Sequence, residues 1–192
     1  MNKIYYVTTQ LLKESTTIND NVDDYLLNNS IWEAQEINVQ NACGTVLYRK
    51  INDLIATGGI NLPANSDYKN LLDTYVQPVV IYWAWSYIIP MVHYKIMNKG
   101  VQNQNSDNST ATAINEMQYL KDEVRNKADY FTERLCDYLL ANKHLFPEYN
   151  RNHRIDELHP DGNTYFSGVQ FDGHADRCIR TMGYPWRTID LI

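Results

Sequence analysis

The sequence predicts an all-α protein: a helical bundle around one buried, aromatic central helix, with an extended, glycine-rich C-terminal arm that has room for short strands. Three features lead there. Between Asp73 and Lys95 lie 21 residues without a formal charge, among them Val79, Val80, Ile81, Trp83, Trp85, Ile88 and Ile89. Apolar residues at three- and four-residue spacing recur on both sides of this stretch, as amphipathic helices require. Beyond Pro147 that periodicity stops, and four of the chain's eight glycines follow. The expected division is a helical bundle over residues 1–149 and an arm over residues 150–192.

The central stretch has the length of a bilayer span. Gln77, Ser86, His93, Pro78 and Pro90 interrupt it, however, and no basic cluster flanks one side. A helix that is apolar all round is one that other helices surround. Pro78 is expected to kink this helix or mark its effective start, and Pro90 to bend or end it.

In chain order, Ile4-Tyr5-Tyr6-Val7 reads as an extended segment laid on the bundle, and Thr8 or Thr9 as the cap of a short helix through Glu14. Asn19, Asp20 and Asn21 signal a second helix, to about Ala42, with the stripe Val22, Leu26, Leu27, Ile31, Ala34 and Ile37. Gly44 interrupts it, and Thr45 is expected to cap a third helix carrying Leu47, Tyr48, Ile51, Leu54 and Ile55. Gly58-Gly59 ends that helix. Ser66 or Asp67 should cap the central one, which enters with Tyr68, Leu71, Leu72, Tyr75 and Val76. After Met97 the polar run from Gln102 to Thr112 has no aliphatic anchor, so Gln102, Asn103, Gln104, Asn105, Ser106 and Asp107 are expected in a mobile loop. A helix of some eight turns follows from about Ala113 to Asn142, with the stripe Ile114, Met117, Leu120, Val124, Ala128, Phe131, Leu135, Tyr138 and Leu139. Pro147 is expected to stop it.

A net charge of −6 speaks against a dedicated nucleic-acid binder, which needs clustered Lys and Arg. Cys43, Cys136 and Cys178 form neither a CxxC nor a disulfide framework. With no apolar leader in the first residues, this suggests maturation in a reducing cytosol. No phosphate loop, HExxH, Gly-x-Ser-x-Gly or zinc spacing is present. His153, His159, His174 and Cys178 crowd the arm without a reason to converge, and Asp161-Gly162-Asn163 starts like a calcium loop but has Phe166 where that loop needs glycine. No catalytic, metal or cofactor-binding residue is expected, and no cofactor.

The arm carries all its basic residues as arginines and is rich in aromatics, the composition of protein–protein interfaces. Tyr165, Phe166, Val169, Phe171, Arg180, Tyr184, Trp186 and Arg187 are the expected partner interface. Tyr165, Ser167, Val169 and Phe171 alternate with Phe166, Gln170 and Asp172 as a strand would, a pattern suited to a partner's sheet edge. The alternative is that the arm packs back on its own bundle.

A family resemblance enters through an ordered series of short motifs. Asn21-Val22-Asp23-Asp24, Ile31 with Glu33-Ala34-Gln35, and Cys43-Gly44-Thr45-Val46-Leu47-Tyr48 come first. Tyr68-Lys69-x-Leu71-Leu72, Val76-Gln77-Pro78, Asn98-Lys99-Gly100-Val101 and Ser106-Asp107-Asn108-Ser109 follow. Ala128-Asp129-Tyr130-Phe131-x-Glu133-Arg134-Leu135 and Leu145-Phe146-Pro147-Glu148-Tyr149 close it. Over residues 5 to 149 this series resembles the head–tail connector (adaptor ring) proteins of tailed bacteriophages, with Cys43 where that family usually has Leu.

The resemblance implies an all-α protomer in a dodecameric homo-oligomeric ring below the portal protein, at the neck of the virion. Such a ring extends the DNA channel, lets DNA pass without sequence-specific binding, and meets the next neck or tail protein, with no catalysis, cofactor or membrane. A tail-completion or stopper ring further from the capsid is the nearest alternative. A helical ligand-binding or regulatory module, using Trp83 and Trp85 as a pocket, is an alternative of another class.

Overall fold

The computed structural model describes residues 3–97, 100–103 and 114–150. The arm after residue 150 and the stretch 104–113 lie outside the described residues. The fold is all-α, with one small hairpin. Helix α1 spans Thr9–Ser15, α2 Asp24–Ala34, α3 Gln40–Cys43, α4 Thr45–Ala56, α5 Ser66–Leu71, α6 Gln77–His93 and α7 Ile114–Ala141. Strands β1 (Tyr94–Met97) and β2 (Gly100–Asn103) pair antiparallel between α6 and α7.

Helix α6 lies between α2 and α7 and is the centre of the bundle. Its fully buried side chains are Val79, Val80, Ile81, Ala84, Ser86 and Ile88, while Tyr82, Trp83, Trp85 and Tyr87 are half-buried. The expectation of an aromatic centre is therefore refined. Aliphatic residues fill the middle and the rings seal its margin, where the polar atoms of Trp83 and Tyr87 find partners. Trp83 Nε1 donates to Thr132 Oγ1 at 3.0 Å, and Asn38 Nδ2 donates to Tyr87 Oη at 2.7 Å. No helix among the described residues is long and apolar enough to cross a membrane.

Two π-helical turns make long helical runs out of short helices. The first, Gln35–Val39, joins α2 to α3, and the second, Leu72–Val76, joins α5 to α6. Buried positions in the first run fall at Leu27, Ile31, Gln35, Val39 and Cys43, in steps of four. On a straight α-helix each such step drifts about 40° around the axis, and the wider turn takes up part of that drift. The α-helical period places Ile37 inward, but with the π turn in place Ile37 is exposed and Val39, Ala42 and Cys43 take the core. The second π turn ends two residues before Pro78, whose ring would clash with the carbonyl four residues back, that of Thr74, in an α-helix. Widening the turn lets the helical run pass through Pro78. It passes Pro90 as well and ends three residues later, at His93.

The expected caps hold in part. Thr8 Oγ1 accepts from Leu11 N at 3.1 Å and starts α1. The second helix starts at Asp24, later than its polar signal, because Asp23 accepts from Tyr25 N while Asn19 closes a local turn onto Asn21 N. Gly44, and not Thr45, precedes α4. It is buried with φ 75° and ψ 157°, a conformation essentially restricted to glycine, and Thr45 is the first helical residue. Neither Ser66 nor Asp67 caps α5; its cap is Asn65, whose side chain instead donates to the Gly59 carbonyl at 2.9 Å. Gly58, at φ 71°, follows the end of α4, where the Gly58-Gly59 pair is expected to end that helix.

Helix α7 ends at Ala141, six residues before Pro147, so proline does not stop it. Asn142 closes the end, its backbone and side-chain N–H groups both reaching the Tyr138 carbonyl. The chain then turns back, buries Phe146 and Tyr149 in the core, and Tyr68 Oη donates to Glu148 Oε2 at 2.8 Å.

Helices α6 and α7 run antiparallel. Tyr75 stacks on Tyr138 at 3.8 Å, Tyr82 stacks on Phe131 at 4.8 Å, and Trp83 bonds Thr132. Facing residue numbers thus add to 213–215, which sets His93 level with residues 120–122 of α7. The turns of α7 before that point overrun the end of α6. Leu120, expected in the core, is 47% exposed for this reason. Phe131 is half-buried, a ring at the margin and not in the centre.

Candidate functional site

The extended N-terminal segment is held by two glutamine side chains. Gln35 is fully buried at the first π turn; its Oε1 accepts from Tyr6 N at 2.9 Å and its Nε2 donates to the Ile4 carbonyl at 3.0 Å. Gln77, directly after the second π turn, donates from Nε2 to the Tyr6 carbonyl at 3.1 Å. An amide side chain offers a donor and an acceptor in one plane, so Gln35 pairs with the segment as a neighbouring strand would. Tyr6 and Val7 are buried behind this clip, and Lys3 lies 4.9 Å from the Trp32 ring centroid.

Next to the clip is a polar cluster. Tyr48 Oη donates to Glu36 Oε1 at 2.9 Å, and the Tyr6 and Tyr48 rings lie 5.7 Å apart. Burial pushes the phenols of both Tyr6 and Tyr48 well above the ordinary tyrosine range. Cys43 and Cys136 are both buried, and burial, with Cys136 as a further influence, pushes the Cys43 thiol far up. A thiol kept in this protonated form is a packing group and not a nucleophile. Among the described residues no group of three or more His, Cys, Asp or Glu side chains could hold a metal ion.

The other feature of note is the outer face of α7. Tyr119 is 69% exposed and Tyr130 62%. Eleven residues apart, they lie three turns and about 16 Å from each other on one side of the helix. Glu123, Asn126, Glu133 and Asp137 share that side and are exposed. Tyr119 Oη reaches Glu123 Oε1 at 3.5 Å, and the Tyr130 ring stands edge-on to Phe131 at 5.4 Å. Exposed tyrosines in an acidic frame suit recognition of another protein, since the ring supplies area and the hydroxyl a polar tip.

The residues 39–157 match the model of a family described as a family of unknown function (DUF6712), which is more than half of the chain. The chain belongs to that family. No curated protein matches it, and no solved structure does. The DUF6712 match starts at the last residue of the first π turn and includes Gly44, Gln77, α7 and the closing Phe146–Tyr149 turn. Gln35 and the clipped segment precede it.

The expected interface residues Tyr165, Phe166, Val169, Phe171, Arg180, Tyr184, Trp186 and Arg187 lie outside the described residues, as do Gln104, Asn105, Ser106 and Asp107. Gln102 and Asn103, expected in a loop, belong to β2 and pair with Lys95 and Tyr94. Sequence reasoning missed the exposed α7 face. Its signal was present in the eleven-residue spacing of Tyr119 and Tyr130, opposite the buried Val124, Ala128, Leu135 and Leu139.

Proposed function

We propose that this chain is a ring-forming subunit of the head–tail connector of a tailed bacteriophage, an adaptor below the portal that extends the DNA channel and links capsid to tail. The observation that carries the reading is the ordered motif series of its sequence. Several of those motifs fall at joints of the fold: Gln35 and Gln77 form the N-terminal clip, Gly44 the bend between α3 and α4, and Phe146 to Tyr149 the closing turn. A rigid bundle with an exposed Tyr119–Tyr130 face offers a ring neighbour a surface while its own core stays closed. The role asks for no catalysis and no cofactor, and an acidic subunit lets DNA pass without holding it.

The test is native mass measurement of the full chain, alone and with portal protein. The expected result is a dodecameric ring that joins the portal. A protein that remains monomeric in both conditions would rule the reading out. A ring that ignores isolated portal would instead place the chain further down the neck, as a tail-completion or stopper ring.

A further inference from the structure

We propose that the free edge of β2 is a docking site for the arm segment Tyr165–Asp172 of a second copy of this chain. The inference rests on the ring-forming role proposed above and names a contact that would link its subunits.

The hairpin has four pairs, Tyr94–Asn103, Lys95–Gln102, Ile96–Val101 and Met97–Gly100, with two residues between the strands. A two-residue connection makes the closing pair a hydrogen-bonded one, and such pairs alternate along an antiparallel ladder. Met97–Gly100 and Lys95–Gln102 therefore bond across the hairpin. The backbone N–H and C=O groups of Tyr94, Ile96, Val101 and Asn103 are directed away from it. Two strands are all this sheet has among the described residues. A lone hairpin is marginal in water, and a bare edge is a template for a further strand unless charge or proline blunts it. Strand β1 carries Lys95. Strand β2, Gly-Val-Gln-Asn, carries neither charge nor proline and is the edge left open among the described residues.

The occupant is named by the chain itself. Tyr165 to Asp172 is an alternating run in a glycine-rich stretch, and strand addition takes such a segment through its main chain. Reach favours a second copy as its source. The helical run from Ser66 to His93 begins beside the closing turn, where Tyr68 bonds Glu148, and ends at the hairpin. The start of the arm and β1 are thus about 40 Å apart along the bundle, at 1.5 Å per helical residue. The 15 residues from Asn150 to Tyr165 span at most about 50 Å when fully extended. Their sequence includes Pro160-Asp161-Gly162, residue types that favour turns over full extension. A subunit's own hairpin is at the limit of that reach, whereas a second copy can bring its β2 edge to the arm.

Amide hydrogen exchange on the full chain, followed across its self-association, tests this. In the assembled protein the Val101 and Asn103 amides should exchange about tenfold more slowly or more, an effect of the size one added backbone hydrogen bond supports. Dilution to the monomer should abolish that protection, as should one of Val169→Pro and Gln170→Pro, because neighbouring residues of a strand direct their N–H groups to opposite edges and proline cannot donate to a ladder. The cross-hairpin amides of Lys95 and Gln102 should stay unchanged, which checks that the hairpin survives. Protection that persists in the monomer means the arm folds on its own subunit and overturns the proposal, and protection indifferent to both proline variants overturns it too. Assembly with unprotected Val101 and Asn103 sinks this contact and leaves the ring intact. A chain that never assembles sinks the ring reading itself.

Discussion

From Val124 to Leu139, helix α7 buries Val124, Ala128, Thr132, Leu135, Cys136 and Leu139, whereas from Asn115 to Glu123 the same helix buries no side chain. Both stretches are helical, and both carry apolar residues at helical spacing. The difference is what stands across from them. Beyond residues 120–122, counting toward the N-terminus, α6 has ended. Periodicity tells a chain which side of a helix can be buried; the length of the neighbour tells it how far along.

The largest effect expected from this contrast is at Leu135. Leu135→Ala opens a cavity in a fully buried site and should cost about 2–5 kcal/mol, read as a lowered midpoint in urea unfolding. A loss below about 1 kcal/mol would mean that the second half of α7 is no more anchored than the first.

Gln35 should come next. Gln35→Ala strands the Tyr6 N–H and the Ile4 carbonyl, and an unpaired buried group costs about 1–3 kcal/mol. Amide exchange at Tyr6 should rise sharply while the amides around Leu135 keep their protection. Equal loosening of both regions would show that the clip and the core are one cooperative unit.

Phe131 lies at the margin, half-buried and stacked on Tyr82. Phe131→Ala should therefore cost less than the ~3–5 kcal/mol of a fully buried ring, about 1–2 kcal/mol. Tyr82→Ala should remove much of the same energy, and the double variant should be less than additive.

Alkali offers a fourth test, directed at the clip. Burial raises the Tyr6 and Tyr48 phenols in the folded chain above the ordinary tyrosine value of about 10. The folded state then holds protons that the unfolded state releases, so their stabilisation is complete below about pH 10 and falls as pH rises above it. The slope of stability against pH in that range should flatten in Tyr6→Phe. An unchanged slope would assign the alkaline loss to other groups.

The smallest effect on stability is expected at Leu120. Leu120→Ala should change the unfolding midpoint by no more than about 0.5 kcal/mol, as at other exposed sites. If the outer face of α7 is an assembly surface, Tyr119→Ala and Tyr130→Ala should likewise leave stability alone and reduce the fraction of protein in the ring. Rings unaffected by both would move the contact to another face.

Legibility differed by element for physical reasons. Caps formed by one residue and its immediate neighbours were readable where a single bond decides them, as at Thr8. They were misread at Asn65 and Gly44, where a side chain has a better tertiary partner or the backbone demands glycine. Gln35 and Gln77 stood in the sequence as members of motifs and as polar breaks, and nothing local revealed that both reach for one segment. Cys43 stood in the sequence as one of three cysteines without a disulfide framework, and only folding buried its thiol and brought it under the influence of Cys136.

By itself the sequence determined that the chain is all-α, that α2, α4, α6 and α7 exist, and that α6 lies at their centre. Spacing and charge act within a few turns and need no partner. Tertiary structure alone decided the two π turns, the clip on the N-terminal segment, the hairpin after α6 and the bare first turns of α7. Each of these depends on groups far apart in the chain meeting at a given height and angle. A register shift of one residue, as at Val39, or a helix that ends a few turns early, as at His93, leaves the local pattern intact and changes what that pattern can bury.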